Sequence, residues 1–172
     1  MRFAAAATIA GLLAGCAMFD SGGGPTAKAT LQPSKGSKVK GTATFTQKGD
    51  RVEVTASISG LNPNQEHGFH IHEKGDCSSG DGMSAGGHFN PLGKAHAHPS
   101  TPDRHAGDMP ALKADDYGNA SFSVKLDVIT VAEGPTGIVG RGVIVHAQAD
   151  DYKTQPTGNA GARLACGVIQ KG

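Results

Sequence analysis

Strict alternation of polar and apolar side chains restricts this chain more than any other feature. Residues 38–47 (KVKGTATFTQ) and 51–59 (RVEVTASIS) both alternate with period two, the period of a strand with one face on a core and one in water. Lys48, Gly49 and Asp50 between them supply turn chemistry, so the pair reads as a hairpin. Residues 66–73 (EHGFHIHE) read as a third strand, 119–128 (NASFSVKLDV) as a fourth, 142–148 (GVIVHAQ) as an apolar strand, and 166–170 as a closing one. Gly- and Pro-punctuated connections at 134–140 and 150–162 fit the same plan. No run longer than a turn carries a helical period, and no segment repeats. Trp is absent and Gly is abundant, at 26 residues, which suits short strands joined by many turns. The expected fold is all-β: an antiparallel sandwich or flattened barrel occupying residues 27–172.

One stretch breaks that plan. Residues 74–110 are rich in Gly, Pro, Ser and His and show no periodicity. A loop longer than about 30 residues without structure is uncommon in a compact domain, and is usually either functional or disordered. This one holds four of the eight histidines and Cys77. A disordered linker has no reason to collect them, whereas a loop pinned by metal and a disulfide does.

The N-terminus reads as an export signal over residues 1–15. Arg2 is a minimal positive region, and residues 3–14 form an apolar run too short for a bilayer core, which needs about 20 residues. The run ends in Leu13-Ala14-Gly15-Cys16, which resembles the lipobox of bacterial lipoproteins, where the Cys is diacylated and becomes the new N-terminus. The expectation is a lipid anchor at Cys16, a flexible tether through residue 26, and a location in the periplasm or cell envelope; plain secretion is the alternative. Loss of Arg2 with the signal takes the 16 basic side chains to 15, equal to the 15 acidic ones. That balance excludes the basic excess of a nucleic-acid binder. With Cys16 used by the anchor, Cys77 and Cys166 remain, and in an oxidising envelope they predict one disulfide. It would close a loop of about 90 residues, worth about 4 kcal/mol by chain entropy.

The histidines are His67, His70, His72, His88, His96, His98, His105 and His146. His70 and His72 stand two apart on a strand, so their rings share a face while Ile71 points to the other. Two imidazoles so placed bind one ion without bending the backbone. His146, late on another strand, can supply a third nitrogen. His88, His96, His105 and Asp108 are spaced along the loop widely enough to fold round a second ion. Imidazole nitrogen suits copper and zinc, and three His with one Asp and no thiolate suits zinc.

These residues carry a family resemblance. The segments GFHIHEKGDC, SAGGHFNP, RHAGDMP, GVIVHAQADD and TGNAGARLACGVI resemble those of Cu,Zn superoxide dismutases, in the family's order and near its spacing, from residue 27 onward. The resemblance implies a Greek-key antiparallel β-sandwich, or flattened eight-stranded barrel, with long metal-binding loops. It implies copper held by His70, His72, His88 and His146, and zinc held by His88, His96, His105 and Asp108, with His88 bridging the two. It matches Asp150 to a carboxylate that orients one copper and one zinc histidine, Arg163 to a catalytic arginine above the copper, and Thr157 to a residue that narrows the channel. Cys77 and Cys166 match the family disulfide, and His67 matches a structural hydrogen-bonder. His98 has no family counterpart and is the substitute zinc ligand if the set is off by one.

Each assignment has a plainer reading beside it. Asp150, followed by Asp151, also suits a turn; Arg163 suits a solvated loop cation, and Thr157 a turn residue. The segment between His146 and Arg163 is shorter than in animal enzymes, so any steering of an anion is expected to fall to Lys153 or Lys94. The resemblance implies an oxidoreductase with superoxide as substrate, and admits a homodimer as well as a single chain. A copper-binding module without turnover, and a structural lipoprotein whose metals only stabilise the fold, are the competing readings.

Overall fold

The computed structural model describes residues 23–172; the signal segment 1–15, Cys16 and the tether through residue 22 lie outside the described residues. The strands are β1 (Thr26–Pro33), β2 (Lys40–Lys48), β3 (Arg51–Ser59), β4 (Glu66–His67), β5 (Phe69–His72), β6 (Leu112–Lys113), β7 (Ala120–Leu126), β8 (Gly142–His146), β9 (Arg163–Val168) and β10 (Gln170–Lys171). Helix is limited, among the described residues, to one turn at Met83–Ala85.

The alternation read from the sequence is what builds the sheet. Val52, Val54, Ala56 and Ile58 of β3 point inward, and so do Ala43 and Phe45 of β2. Two-residue register pairs Phe45 with Val54 and Ala43 with Ala56. The hairpin is tighter than expected, because Lys48 pairs with Arg51 and leaves only Gly49-Asp50 as the turn. Gly49 takes the positive φ, 63°, that such short turns demand. β1 follows the same rule with Ala27, Ala29 and Leu31 inward; it begins at Thr26, one residue ahead of the expected domain boundary.

The sheet order is β5-β8-β9-β1-β2-β3-β7, with β10 also paired to β1, and the strand pairings are antiparallel. After the β1–β2–β3 meander the chain crosses to β5 at the far edge, returns to β7 beside β3, and crosses again to β8 beside β5. These crossings are Greek-key connections. β4 leads into β5 at one edge and pairs with β6, and β6 lies against β7 at the other edge, so the curled sheet closes into a flattened barrel. Phe69 and Phe122 meet edge-to-face across the interior, ring centres 5.3 Å apart.

The single strand expected over residues 66–73 is two strands. The break falls at Gly68, where a Cβ would sit 2.8 Å from the Ala160 Cβ and 3.0 Å from His70 Cε1. Only glycine lets the chain pass from the β4–β6 ribbon into the main sheet there. The closing strand also starts earlier than expected, at Arg163.

The long loop is not free of structure. Ile71 N–H donates to Gly107 O (3.0 Å), Phe89 N–H donates to Ile71 O (2.8 Å), and Glu73 N–H donates to Gly87 O (3.0 Å). The loop therefore lies along the open edge of β5, with His72 bridged to His88 and His70 to Asp108. A Cβ at Gly107 would collide with the Ile71 carbonyl, so glycine permits that approach. The Cys77–Cys166 disulfide ties the loop's start to β9 across 89 residues, Cα atoms 5.8 Å apart.

Candidate metal centre

Two groups of four buried side chains form between β5, β8 and the loop. The first is His70, His72, His88 and His146; the second is His88, His96, His105 and Asp108. In each, one donor atom per residue lies within 4.8 Å of all the others. His88 belongs to both.

Hydrogen bonds fix which nitrogen each ring offers to the first group. His72 Nδ1–H donates to Gly86 O at 2.9 Å, which leaves its lone pair on Nε2. His146 directs Nδ1–H more loosely at Gly161 O, 3.4 Å away. The two Nε2 atoms then face each other at 3.3 Å. Two lone pairs at that distance repel unless a cation lies between them. His70 Nε2–H donates to Asp150 Oδ2 at 2.7 Å, and its Nδ1 is buried with no partner; the same holds for His88 Nε2. A buried nitrogen left without a partner costs free energy, and here the free ones converge.

The second group gathers on one oxygen. Asp108 Oδ1 lies 2.9 Å from His88 Nδ1, 2.9 Å from His96 Nδ1 and 3.5 Å from His105 Nδ1. Asp108 Oδ2 accepts backbone N–H groups of Ala97 and His105, both at 3.1 Å, which fixes the carboxylate. Asp150 spans the two groups: its Oδ1 holds His96 Nε2 at 2.9 Å while Oδ2 holds His70. Asp150 is thus a buried brace that also helps set the turn, its Oδ1 accepting the Tyr152 N–H at 2.6 Å, while Asp151 accepts from Thr154 Oγ1 and the Lys153 N–H.

Charge follows from this packing. Burial, reinforced by neighbouring histidines, pushes His72 and His146 well below the ordinary imidazole value. Burial and then His70 bring His88 down to about 3. Burial also lowers His70, against the pull of Asp150. His96 goes the other way, to about 9, because hydrogen bonds to Asp108 and Asp150 outweigh its desolvation. Those histidine contacts likewise hold both carboxyls well below the usual range despite burial. The first group therefore keeps neutral imidazoles near pH 7, the state a metal needs. Four nitrogens fit copper, and three nitrogens with one carboxylate oxygen and no sulfur fit zinc.

Beside the first group lies a cavity of about 250 Å³ lined by Met83, His146, Thr157, Asn159, Gly161 and Arg163. His146 and Arg163 face each other across a bulge, because the β8–β9 register slips after Val145–Ala165. Bulges re-aim side chains beside functional sites. The Arg163 guanidinium donates to Gly82 O and Gly86 O, both at 2.7 Å, so its head is fixed near His146 and is no solvated loop cation.

Some expectations change. His98 is exposed, bonded to Ser100 and packed against Tyr152, outside both groups, so it is no substitute ligand. The Lys94 ammonium is paired with Asp103 at 2.8 Å, so its charge is locally answered. His67 donates from Nδ1 to His146 O at 2.8 Å and stays out of the site, as expected. The contributions of the Gly82 and Gly86 carbonyls and of Gln155 were not read from the sequence; backbone acceptors leave no residue-type signal.

A sequence model of the family described as copper/zinc superoxide dismutase matches residues 39–169. The chain belongs to that family. A superoxide dismutase [Cu-Zn] of Paramecium bursaria Chlorella virus 1 is 43% identical over 137 residues, covering 76% of this chain and 72% of the viral protein. Superoxide dismutase [Cu-Zn] 2 of Brassica juncea is 45% identical over 148 residues, 82% of this chain and 94% of the plant protein. The crystal structure of the clock protein EA4 matches with a TM-score of 0.77 and 43% identity, over 84% of this chain and 93% of that one. The family's description names two metals, and the structure holds two groups of side chains that could each hold one, with His88 in both.

Proposed function

We propose that this chain is an oxidoreductase that dismutates superoxide, turning two superoxide anions and two protons into dioxygen and hydrogen peroxide. Copper would be held by His70, His72, His88 and His146, and zinc by His88, His96, His105 and Asp108. The single observation that carries the reading is His88, whose Nδ1 faces Asp108 while its buried Nε2 is unpartnered on the other side. Copper, when bound, supplies the one-electron couple, and zinc carries no electrons.

The chain's own residues do the rest. Arg163 presents a fixed cation next to His146, and the N–H groups not committed to Gly82 and Gly86 are free to meet an anion. His88 Nε2, unpartnered on the side of the first group while Nδ1 faces Asp108, is the nitrogen placed to take up and give back a proton there. Asp150 holds His70 and His96 in one tautomer and orientation. Gly86 O receives both His72 and Arg163, so the anion-docking cation and a copper ligand are set by one carbonyl. A copper module without turnover has no need of a cation clamped there, which favours the enzyme.

The same reading places the enzyme in the cell envelope, exported by residues 1–15, held to a membrane through Cys16, and protecting that compartment from oxidative damage. Support comes from the Leu13–Cys16 tetrapeptide and from a disulfide that suits an oxidising space. Both His groups and the cavity are built by one chain, so a homodimer would leave the site as it is. Protein loaded with both metals should remove superoxide from a steady flux, and His146→Ala should abolish that while zinc stays bound. A fully loaded protein without activity would favour the copper-binding module.

A further inference from the structure

Three contacts join the segment 150–157 to the stretch of chain that carries His96 and Asp108. Asp150 Oδ1 holds the His96 ring. The Tyr152 hydroxyl accepts the Ala111 N–H at 2.9 Å. Gln155 makes the third and grips main chain: its Oε1 accepts the His96 N–H at 2.8 Å, and its Nε2 donates to the His96 carbonyl, also at 2.8 Å. A side-chain amide meeting both polar groups of one residue copies a strand pairing, and only Gln or Asn has the donor and acceptor to do so. The chain next to His96 lies in the long loop, outside any strand, so no ladder fixes its φ and ψ.

We propose that Gln155 is a positioning residue for zinc: it sets the main chain of His96 so that Nδ1 meets His88, His105 and Asp108. Two residues beyond it, Thr157 lines the cavity beside His146 and Arg163. One side chain thus couples the cavity wall to the second His group. Because coupling free energies are reciprocal, zinc in turn holds the cavity wall in place. The inference rests on the zinc reading above.

The test is zinc release from the copper- and zinc-loaded protein into excess of a chromophoric chelator. Gln155→Met keeps the volume and removes both hydrogen bonds; Gln155→Glu keeps the acceptor, loses the donor and sets a carboxylate against the His96 carbonyl. Loss of partners around a ligand costs roughly 10–100-fold in metal affinity. Zinc should therefore leave Gln155→Met at least tenfold faster, Gln155→Glu should rescue no more than part of this, and copper retention should stay within twofold. The melting temperature should fall further in the metal-loaded protein than in the metal-free one, since a positioning role adds to the lost hydrogen bonds only when metal is bound. Zinc release within twofold of wild type, or equal drops in melting temperature with and without metal, would overturn the proposal. Asp108→Ala, run in parallel, separates the two failures: unchanged zinc retention there would remove the zinc reading itself.

Discussion

Replacing Asp150 with Ala removes three hydrogen bonds at once: a buried one to a member of each His group, and the one its Oδ1 accepts from the Tyr152 N–H at 2.6 Å. The carboxylate accepts from His70 Nε2 at 2.7 Å and from His96 Nε2 at 2.9 Å. Bonds to a charged group are worth about 1.5–3 kcal/mol each, yet the two histidine losses are not equal in effect. His70 stands on β5, laddered to β8, with its ring 4.0 Å from that of His88 and 4.9 Å from that of His146. Packing holds that ring even without Asp150. His96 stands on a loop, and its other nitrogen faces Asp108 within the second His group, so Asp150 alone restrains the ring from behind. Zinc affinity should therefore fall roughly 100-fold, about 2.7 kcal/mol, and copper affinity roughly tenfold or less. Competition against a chelator of known affinity, run separately for each metal, reads both numbers. Unchanged zinc affinity, or copper lost while zinc is retained, would refute the reasoning.

Arg163→Ala should keep both metals but slow superoxide removal by roughly tenfold and flatten its dependence on salt, with Arg163→Lys recovering part; equal rates would take Arg163 out of the site. Replacing Cys77 and Cys166 together by Ser opens a loop of 89 residues, and urea unfolding should show a loss of about 4–5 kcal/mol; a loss under about 1 kcal/mol would contradict the chain-entropy argument. The metal-free protein should be most stable near neutral pH. His70, His72, His88 and His146 have lowered folded values, so the stability they carry is present above the ordinary imidazole value and is lost as pH falls toward about 3, the value for His88. His96, raised to about 9, contributes below the ordinary value and loses its contribution as pH rises through about 9. With four histidines on the acid side, and the lowered Asp108 and Asp150 adding to it at still lower pH, the acid limb should be the steeper. A chemical-denaturation series across pH checks this, and a basic limb as steep as the acid one would count against it.

The strands that alternate with bulky side chains, β2 and β3, were legible because Val, Ile and Phe mark the buried face. β1 was not singled out, since its inward face is mostly Ala27 and Ala29, too small to stand out. Both members of His70-x-His72 could be placed on one face from the strand period alone. His88, His96, His105 and Asp108 could be nominated only by residue type and spacing, because a loop without periodicity gives no direction for a side chain; that His88 is shared came from the family resemblance, and the structure brings the set together. His98 shows the limit of spacing: two residues from His96, it points to solvent, since only a regular strand makes i and i+2 share a face. The contacts of Gln155, Gly82 and Gly86 stayed hidden because they pair with main chain, which every residue has. Arg163 was recognisable by its neighbours in TGNAGARLACGVI, but its fixed position depends on a register slip that no local pattern announces.

Anomalous diffraction from crystals of the metal-loaded protein, collected at the copper and the zinc absorption edges, bears most directly on the shared histidine. Two separate peaks should appear, copper against His70, His72, His88 and His146, zinc against His88, His96, His105 and Asp108, with the His88 ring between them. A single peak, or two peaks with no imidazole in common, would contradict the assignment of a bridged pair of metals to this site.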